Sequence, residues 1–376
     1  MEKTKVGVVG CGMISDFYLS AAKRFRNLDI VACADIIHSR AESKEAEYGC
    51  KALSCEAIMQ DPEIEMILNL TPPKEHTKVA MAALNAGKHT YSEKPFGVDL
   101  EDAKQVLQLA KEKNLRVGCA PDTFLGGGLQ TARKLIDDNW IGKVKSGTAV
   151  VASRGPEKWG HAPFFYDTGA GPLLDMGPYY VTALVNILGP AKSVTAVTLK
   201  GSEYRTLGDS VAEQYQDKYE PYGKYPVNVD THYTGVIEFH SGAVITLLSS
   251  FEVYRHDHSP IELYGEQGSL LLPDPNTFTG PVKLFRREWK YEEGFKEVPL
   301  VYGHTTPSRS IGAADMAMAI KTNRPHRASS ELAFHVLDII LSFGKSSKLG
   351  RKVELESSCE RPAPLPLGLE DGMVDE

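Results

Sequence analysis

Two short stretches carry side chains whose chemistry is out of place in packing. In YSEKPFGV (residues 91–98) the tripeptide Glu93-Lys94-Pro95 closes what reads as a short buried strand. A charge at a strand end is costly unless something beside it needs an ammonium. The proline fixes the turn and so aims the lysine. In GAGPLLDMGPYY (residues 169–180), Asp175 and Tyr179 are spaced i, i+4. On a helix both point the same way. A tyrosine phenol titrates near pH 10 and is a poor base at neutrality, and a nearby ammonium brings that value down. Lys94 and Tyr179 therefore make sense as a pair that moves a hydroxyl proton, with Asp175 orienting the substrate or the lysine. Each residue also has a plain reading: a solvated loop lysine, a capping aspartate, a core tyrosine.

A hydroxyl proton that leaves needs a hydride acceptor, and the N-terminus offers a site for one. GCGMIS places Gly10, Gly12 and Ser15 in the G-x-G-x-x-G/A frame, after a strand and at the start of a helix. Gly10 allows the tight turn. Gly12 lets backbone amides approach a pyrophosphate at the helix N-terminus, and Met13 and Ile14 belong to the same site. Asp35 ends the next strand, where a carboxylate accepts from the adenosine ribose hydroxyls and repels a 2′-phosphate. Ile36 and Ile37 follow it rather than an arginine, which favours NAD over NADP, although Arg40 is close enough to swing over the adenine. In NLTPPKEH, Thr71 and Pro72 would border the nicotinamide ribose. His76 is placed in the pocket lining, with Glu93 and Lys94 completing the cofactor set.

These groups must be positioned by a fold. The 376 residues exceed one ordinary core, so two domains are expected. Up to Ala120, strands (5–10, 30–35, 66–70, 89–91, 116–120) alternate with helices (13–26, 39–48, 75–86, 100–114), the pattern of a doubly wound parallel sheet covered on both faces. After Pro121 a helix at 129–138 and a strand at 143–153 lead to the apolar helix 170–188. Strands at 193–200, 231–239, 243–251, 261–264, 269–272 and 282–285 follow, with hairpin turns at FHSGAV and YGEQGSL. Helices at 311–321 and 331–345 close the chain. The reading is an NAD-binding Rossmann domain over 1–121, an α+β substrate-binding and oligomerisation domain with an open-faced, mostly antiparallel sheet over 122–356, and a proline-rich acidic tail over 357–376, either an arm or a frayed end.

The net charge of −7 argues against nucleic acid or an anionic membrane as partner. No apolar run reaches the roughly 18 residues of a membrane helix, and MEKTKVGVVG has no signal-peptide core. The six cysteines form no CxxC pair and fit a cytoplasmic protein with reduced thiols. On the substrate side, RGPEKWGHAPFFYDTG supplies Arg154, Trp159, His161 and Phe165, a mixture suited to a sugar ring, and Asp122 is grouped with them. His256 and His258 have metal-like spacing but no third ligand, so no metal is expected. Five tyrosines between Tyr204 and Tyr225 read as a lid, a subunit contact or only a loop.

Taken together, GCGMIS, TPPKEHTKVAMAALNAGKHTYSEKP, NWIGKV, GAGPLLDMGPYY and RPHRASSELAFHVLD resemble the Gfo/Idh/MocA family of oxidoreductases (glucose–fructose oxidoreductase and inositol dehydrogenase). The resemblance covers nearly the whole chain. It implies NAD(P)-dependent oxidation or reduction of hydroxyl and carbonyl groups on sugars, glycosides, cyclitols and related rings, possible at C3 of a glycoside. It puts the family's lysine on Lys94, its aspartate on Asp175 and its histidine position on Tyr179. Tyrosine there departs from the inositol dehydrogenase pattern and leaves open a part for His161 or a sheet histidine. The resemblance also implies a cis bond before Pro95 and a homodimer or homotetramer formed through the open sheet face, where Val236, Val244, Thr246 and Leu248 alternate. Two rival classes share the family: NAD-dependent glycosidases, whose histidine-bearing glycine motif is not apparent here, and non-catalytic NAD- and sugar-binding regulators, against which Lys94, Asp175 and Tyr179 argue.

Overall fold

The computed structural model describes residues 2–208 and 223–375. The first sheet comprises β1 (Thr4–Val9), β2 (Leu28–Ala34), β3 (Lys51–Ala52), β4 (Met66–Asn69), β5 (His89–Ser92) and β6 (Val117–Cys119), all parallel, in the order β3-β2-β1-β4-β5-β6. Val6, Val8, Met66, Ile67 and Tyr91 are fully buried because helices cover both faces. Those helices are α1 (Met13–Ala22), α2 (His38–Tyr48), α3 (Cys55–Gln60), α4 (His76–Asn85) and α5 (Leu100–Lys113). β3 and α3 escaped the sequence reading, being too short to show a period. α5 illustrates local specification: the Asp99 side chain accepts from the amides of Glu101 and Asp102, and Asn114 ends the helix at φ 53°. The strand order reverses between β1 and β4, and the crevice at the carboxyl ends of these strands is where an open α/β sheet binds ligand.

The second sheet is built from β7 (Val144–Ala152), β8 (Ala191–Leu199), β11 (His232–Phe239), β12 (Val244–Ser250), β13 (Ile261–Gly265), β14 (Gly268–Leu272), β15 (Val282–Arg286), β16 (Lys296–Val298) and β17 (Val353–Glu354), while β9 (Tyr204–Thr206) and β10 (Lys224–Pro226) form a separate ribbon. Every neighbour in the large sheet is antiparallel except β12 with β7. Both expected hairpins form, β11–β12 and β13–β14. Tyr215, Tyr219 and Tyr222 of the tyrosine-rich stretch lie outside the described residues. Helices α6 (Gly127–Asp137), α7 (Pro172–Leu188), α8 (Ile311–Thr322) and α9 (Ser330–Leu349) complete the domain. Ile237, Ile245 and Leu247 point inward and are fully buried. Val236, Val244, Thr246 and Leu248 alternate with them and keep accessible surface.

The proline-rich end is an arm. Leu365 and Val374 are buried, the Leu365 amide donates to Gln130 Oε1 at 2.9 Å, and Arg26 in the turn between α1 and β2 binds Glu370 at 2.8 Å. Arg324 and Arg327 tie this arm to α8. Arg324 contacts Asp375 at 2.5 Å and Asp315 at 2.7 Å. Arg327 donates to Asp315, Pro364 O and Val374 O. Asp315 has no exposed surface, and its removal would leave buried guanidinium charge without its carboxylate. Asp315→Ala is therefore expected to lower stability by about 3–5 kcal/mol, read as a reduced urea midpoint at unchanged slope.

Candidate active site

Lys94 stands where β5 ends, at the carboxyl edge of the first sheet. The Glu93 amide still donates to Asn69 O at 2.8 Å, continuing the ladder, and the chain then turns through a cis Lys94–Pro95 bond. Three groups clamp that turn. Glu93 is buried and accepts from Tyr18 Oη at 2.6 Å and from the Lys94 amide at 2.9 Å. His76 places Nδ1 2.7 Å from Pro95 O and Nε2 2.7 Å from Thr71 O. Burial pushes the imidazole pKa down, against the two carbonyls, which favour the charged ring. His76 is only 1% exposed. This corrects its placement in the pocket lining: it braces the Thr71 loop and the lysine turn from behind. Glu93 likewise acts through the turn it holds.

Asp175 and Tyr179 arrive on α7. Gly171 precedes the helix at φ 95°, Pro172 takes its first position, and the Asp175 amide donates to Gly171 O at 3.0 Å. Pro178 lies inside the helix, where it supplies no N–H for the Leu174 carbonyl. At this turn the Asp175 carbonyl accepts from Lys94 Nζ at 2.8 Å, and Asp175 Oδ1 accepts from the same ammonium at 2.7 Å. Lys94 Nζ lies 5.2 Å from the centroid of the Tyr179 ring. Burial works against the ammonium, but Asp175, Tyr179 and Glu93 together outweigh it and hold its pKa above the ordinary lysine value. The phenol of Tyr179 is pushed up by burial, and Lys94 opposes that without overcoming it. The sequence reading expected a net lowering. The deep burial of Tyr179, 4% exposed, reverses the balance.

The glycine loop fits a dinucleotide. Gly10 has φ 101°, and a Cβ there would fall 2.6 Å from the Leu70 backbone. The space before Gly12 is clear to 4 Å, and Gly12 opens α1 with Met13 and Ile14 in the first turn. Asp35 Oδ2 accepts from the Cys11 amide at 2.8 Å and Oδ1 from the Ile37 amide at 2.9 Å. Each oxygen keeps a lone pair for a ribose hydroxyl. Arg40 Nη1 is 3.9 Å from Asp35 Oδ1. Ile36 and Met13 are strongly exposed beside the loop. Thr71 gives its carbonyl to His76, and Pro72 starts the turn into α4.

Trp159, His161 and Phe165 gather on the loop between β7 and α7. Trp159 stacks on His161 with centroids 5.6 Å apart and planes at 10°, and Phe165 tilts against both. Arg154 lies at the edge of this loop, 5.1 Å from the Tyr254 ring. The loop is tied to the first domain by Lys74–Asp167 at 2.7 Å. Asp122 does not join it, a second correction. It is fully buried and accepts from the amides of Ser310 and Gly312, both at 3.1 Å, at the start of α8. Burial pushes its pKa up to about 6 against the pull of Arg309. His256 Nε2 lies 3.2 Å from Ala152 O, which can only accept, and no group of three metal-ligating side chains occurs among the described residues. Sequence reasoning passed over Arg309, whose guanidinium carbon lies 5.6 Å from the Tyr179 ring centroid. Nothing local marks it, since the contact spans two elements far apart in the chain.

A carboxylate at the end of the second strand of a dinucleotide fold repels a 2′-phosphate, and Asp35 directly follows β2. Titration of both dinucleotides should show tighter NAD binding, and Asp35→Ser should narrow the difference. Equal or tighter NADP binding by the unaltered protein would contradict this.

Comparison with known proteins matches residues 4–120 to the oxidoreductase family with an NAD-binding Rossmann fold and residues 129–271 to the GFO/IDH/MocA C-terminal domain. The inositol 2-dehydrogenase/D-chiro-inositol 3-dehydrogenase of Lactiplantibacillus plantarum is 32% identical over 37% of this chain and 41% of its own length. The D-glucoside 3-dehydrogenase of Escherichia coli is 25% identical over 72% of this chain and 77% of its own. The chain spans about half the length of several other relatives. Among solved structures, levoglucosan dehydrogenase in complex with NADH and L-sorbose superposes with a TM-score of 0.80 over 95% of this chain and 100% of that one, at 21% identity, a likeness of fold. With both of its domains matched, the chain belongs to the GFO/IDH/MocA family of NAD-binding oxidoreductases.

Proposed function

We propose that the protein transfers a hydride between NAD and a secondary hydroxyl or ketone of a sugar, glycoside or cyclitol ring. The observation that carries this reading is the Lys94 ammonium, bound to Asp175 and lying over Tyr179 at the carboxyl edge of the NAD-binding sheet. The nicotinamide, when bound, accepts or returns the hydride. An ammonium has three donors, and Asp175 takes two of them, leaving one for the substrate oxygen. The hydroxyl of Tyr179 makes no hydrogen bond among the described residues, so it is free to take the substrate's proton in oxidation and to return it in reduction. Because burial keeps the phenol protonated, proton donation to a ketone comes readily, and oxidation draws on the surrounding cations to stabilise the phenolate. Asp175 holds the ammonium in register with the ring.

The aromatic loop favours a glycoside within this class. Trp159 is 48% exposed, and its ring, backed by His161, offers an apolar platform for a ring substituent. The D-glucoside 3-dehydrogenase among the relatives supports C3 as the carbon oxidised. We also infer a homodimer or homotetramer joined through the open face of the second sheet, where Val197 is 66% and Val244 41% exposed beside Val236 and Thr246. A one-sided sheet with such a face needs a cover, and a second copy supplies a matching one. The six unpaired thiols favour the reducing cytoplasm, and no helix of the described residues is long and apolar enough to cross a membrane.

Incubation with NAD and a panel of sugars, glycosides and cyclitols, followed by NADH absorbance and product mass, tests the activity. Lys94→Ala and Tyr179→Phe should each slow hydride transfer by about 10²–10⁴-fold while NAD affinity changes far less. The double variant should lose less than the product of the two. Near-normal single-turnover reduction of NAD by Tyr179→Phe would remove Tyr179 from the role and make His161 the next base to test. Light scattering at micromolar concentration should give a multiple of the chain mass, and Val197→Glu with Val244→Glu should shift it to the monomer. A monomeric unaltered protein would refute the assembly.

A further inference from the structure

The Tyr179 ring is approached by two cations, one from each domain. Lys94 Nζ is 5.2 Å from its centroid and the Arg309 guanidinium carbon 5.6 Å. We propose that Arg309 is the second cation of the proton-transfer site, a positioning residue that holds the Tyr179 ring and stabilises its phenolate. This rests on the reading of Tyr179 as the acid/base group. The segment carrying Arg309 is fixed on both sides. Arg24 binds Thr306 Oγ1 at 2.8 Å, Ser308 Oγ at 2.9 Å and the Pro307 carbonyl. Ser310 adopts φ 87°, donates its amide to Asp122 at 3.1 Å and its hydroxyl to Tyr18 O at 3.1 Å. Backbone strain of this kind persists only where neighbours over-determine it, and here the result is to turn Arg309 inward.

The guanidinium itself is only partly satisfied. Nη2 donates to Asn276 Oδ1 at 2.9 Å, whereas Nη1 is buried and has no partner among the described residues. A buried donor without an acceptor is costly, and the charge of an ionised Tyr179 would offset that cost. The groups acting on the phenol are Lys94 and Glu93 from the β5 turn, Arg309 from the segment before α8, and Asp175 from α7. Both cations favour the phenolate and both carboxylates oppose it. Tyr179 acts on Arg309 most strongly among its neighbours, ahead of Glu93, Tyr18 and Asp122. Lys94 is shared with Asp175 and with the substrate oxygen. Arg309 forms no ion pair with a carboxylate among the described residues, so its charge is available to the phenolate.

The test is a 19F titration of protein labelled with difluorotyrosine, whose phenol is more acidic than that of tyrosine. The Tyr179 signal is identified by its loss in Tyr179→Phe, and no substrate is required. In the labelled NAD complex, Arg309→Met should move the Tyr179 midpoint upward by about one pH unit or more, and Arg309→Lys should leave it close to the unaltered protein. Arg309→Gln serves as a second neutral variant if the methionine variant does not fold. An unmoved midpoint in a folded neutral variant would overturn the proposal, as would a lysine variant that behaves like methionine. Failure of the activity reading shows separately, as retained hydride transfer in Tyr179→Phe, and leaves the measured midpoint shift standing.

Discussion

The contact between Lys94 and Asp175 is the constraint on which the rest depends. Lys94 ends a strand of the first sheet, Asp175 lies on a helix of the second domain, and two hydrogen bonds of 2.7 and 2.8 Å join them. Both side chains are largely shielded, 14% and 23% exposed, so water screens the pair weakly and the loss of either partner leaves the other charge poorly solvated. The pair therefore fixes how the helix of the second domain meets the carboxyl edge of the first sheet.

Buried polar groups behind the Lys94 turn and along α8 each have a traceable task. Glu93 receives Tyr18 and the Lys94 amide. His76 joins the two loops that flank the pocket. Asp122 binds two amides at the start of α8, and Asp315 gathers Arg324 and Arg327 one turn further on. These carboxylates are tolerable inside the protein because backbone amides or guanidinium groups replace their water. Asp122 has one oxygen left without a partner, which agrees with the upward push on its pKa.

The arm and the junction between the sheets carry the same restraint outward. The Cys119 amide donates to Ala328 O at 3.1 Å, so the last strand of the first sheet is tied to the segment that leads into α9. The arm then passes back to the turn between α1 and β2, where Arg26 meets Glu370 and the Arg26 amide meets Gly372 O. His304, whose Nε2 lies 2.8 Å from Met373 O, links the arm to the segment that presents Arg309. A chain end that looks like loose proline-rich sequence thus helps brace the segment that carries Arg309.

Much of this was legible in the sequence, for definable reasons. Buried parallel strands read as short apolar runs, α5 announces itself by Asp99 and Asn114, and the glycine loop is recognisable because its strand-turn-helix context is local. Lys94, Asp175 and Tyr179 stood out because a charge beside a proline at a strand end, and an aspartate one turn from a tyrosine on an apolar helix, are poor choices for packing alone. The short β3, β16 and β17 were invisible because two or three residues have no period, and only pairing with a neighbour makes them strands. Asp122 and His76 look like ligands in a sequence, since residue type does not reveal which way a side chain points. Tertiary structure turned both inward to satisfy backbone groups. It also decided the charge balance at Tyr179, where burial outweighs Lys94, and it brought in Arg309, because burial and Coulomb interactions depend on distances through space that sequence spacing does not encode.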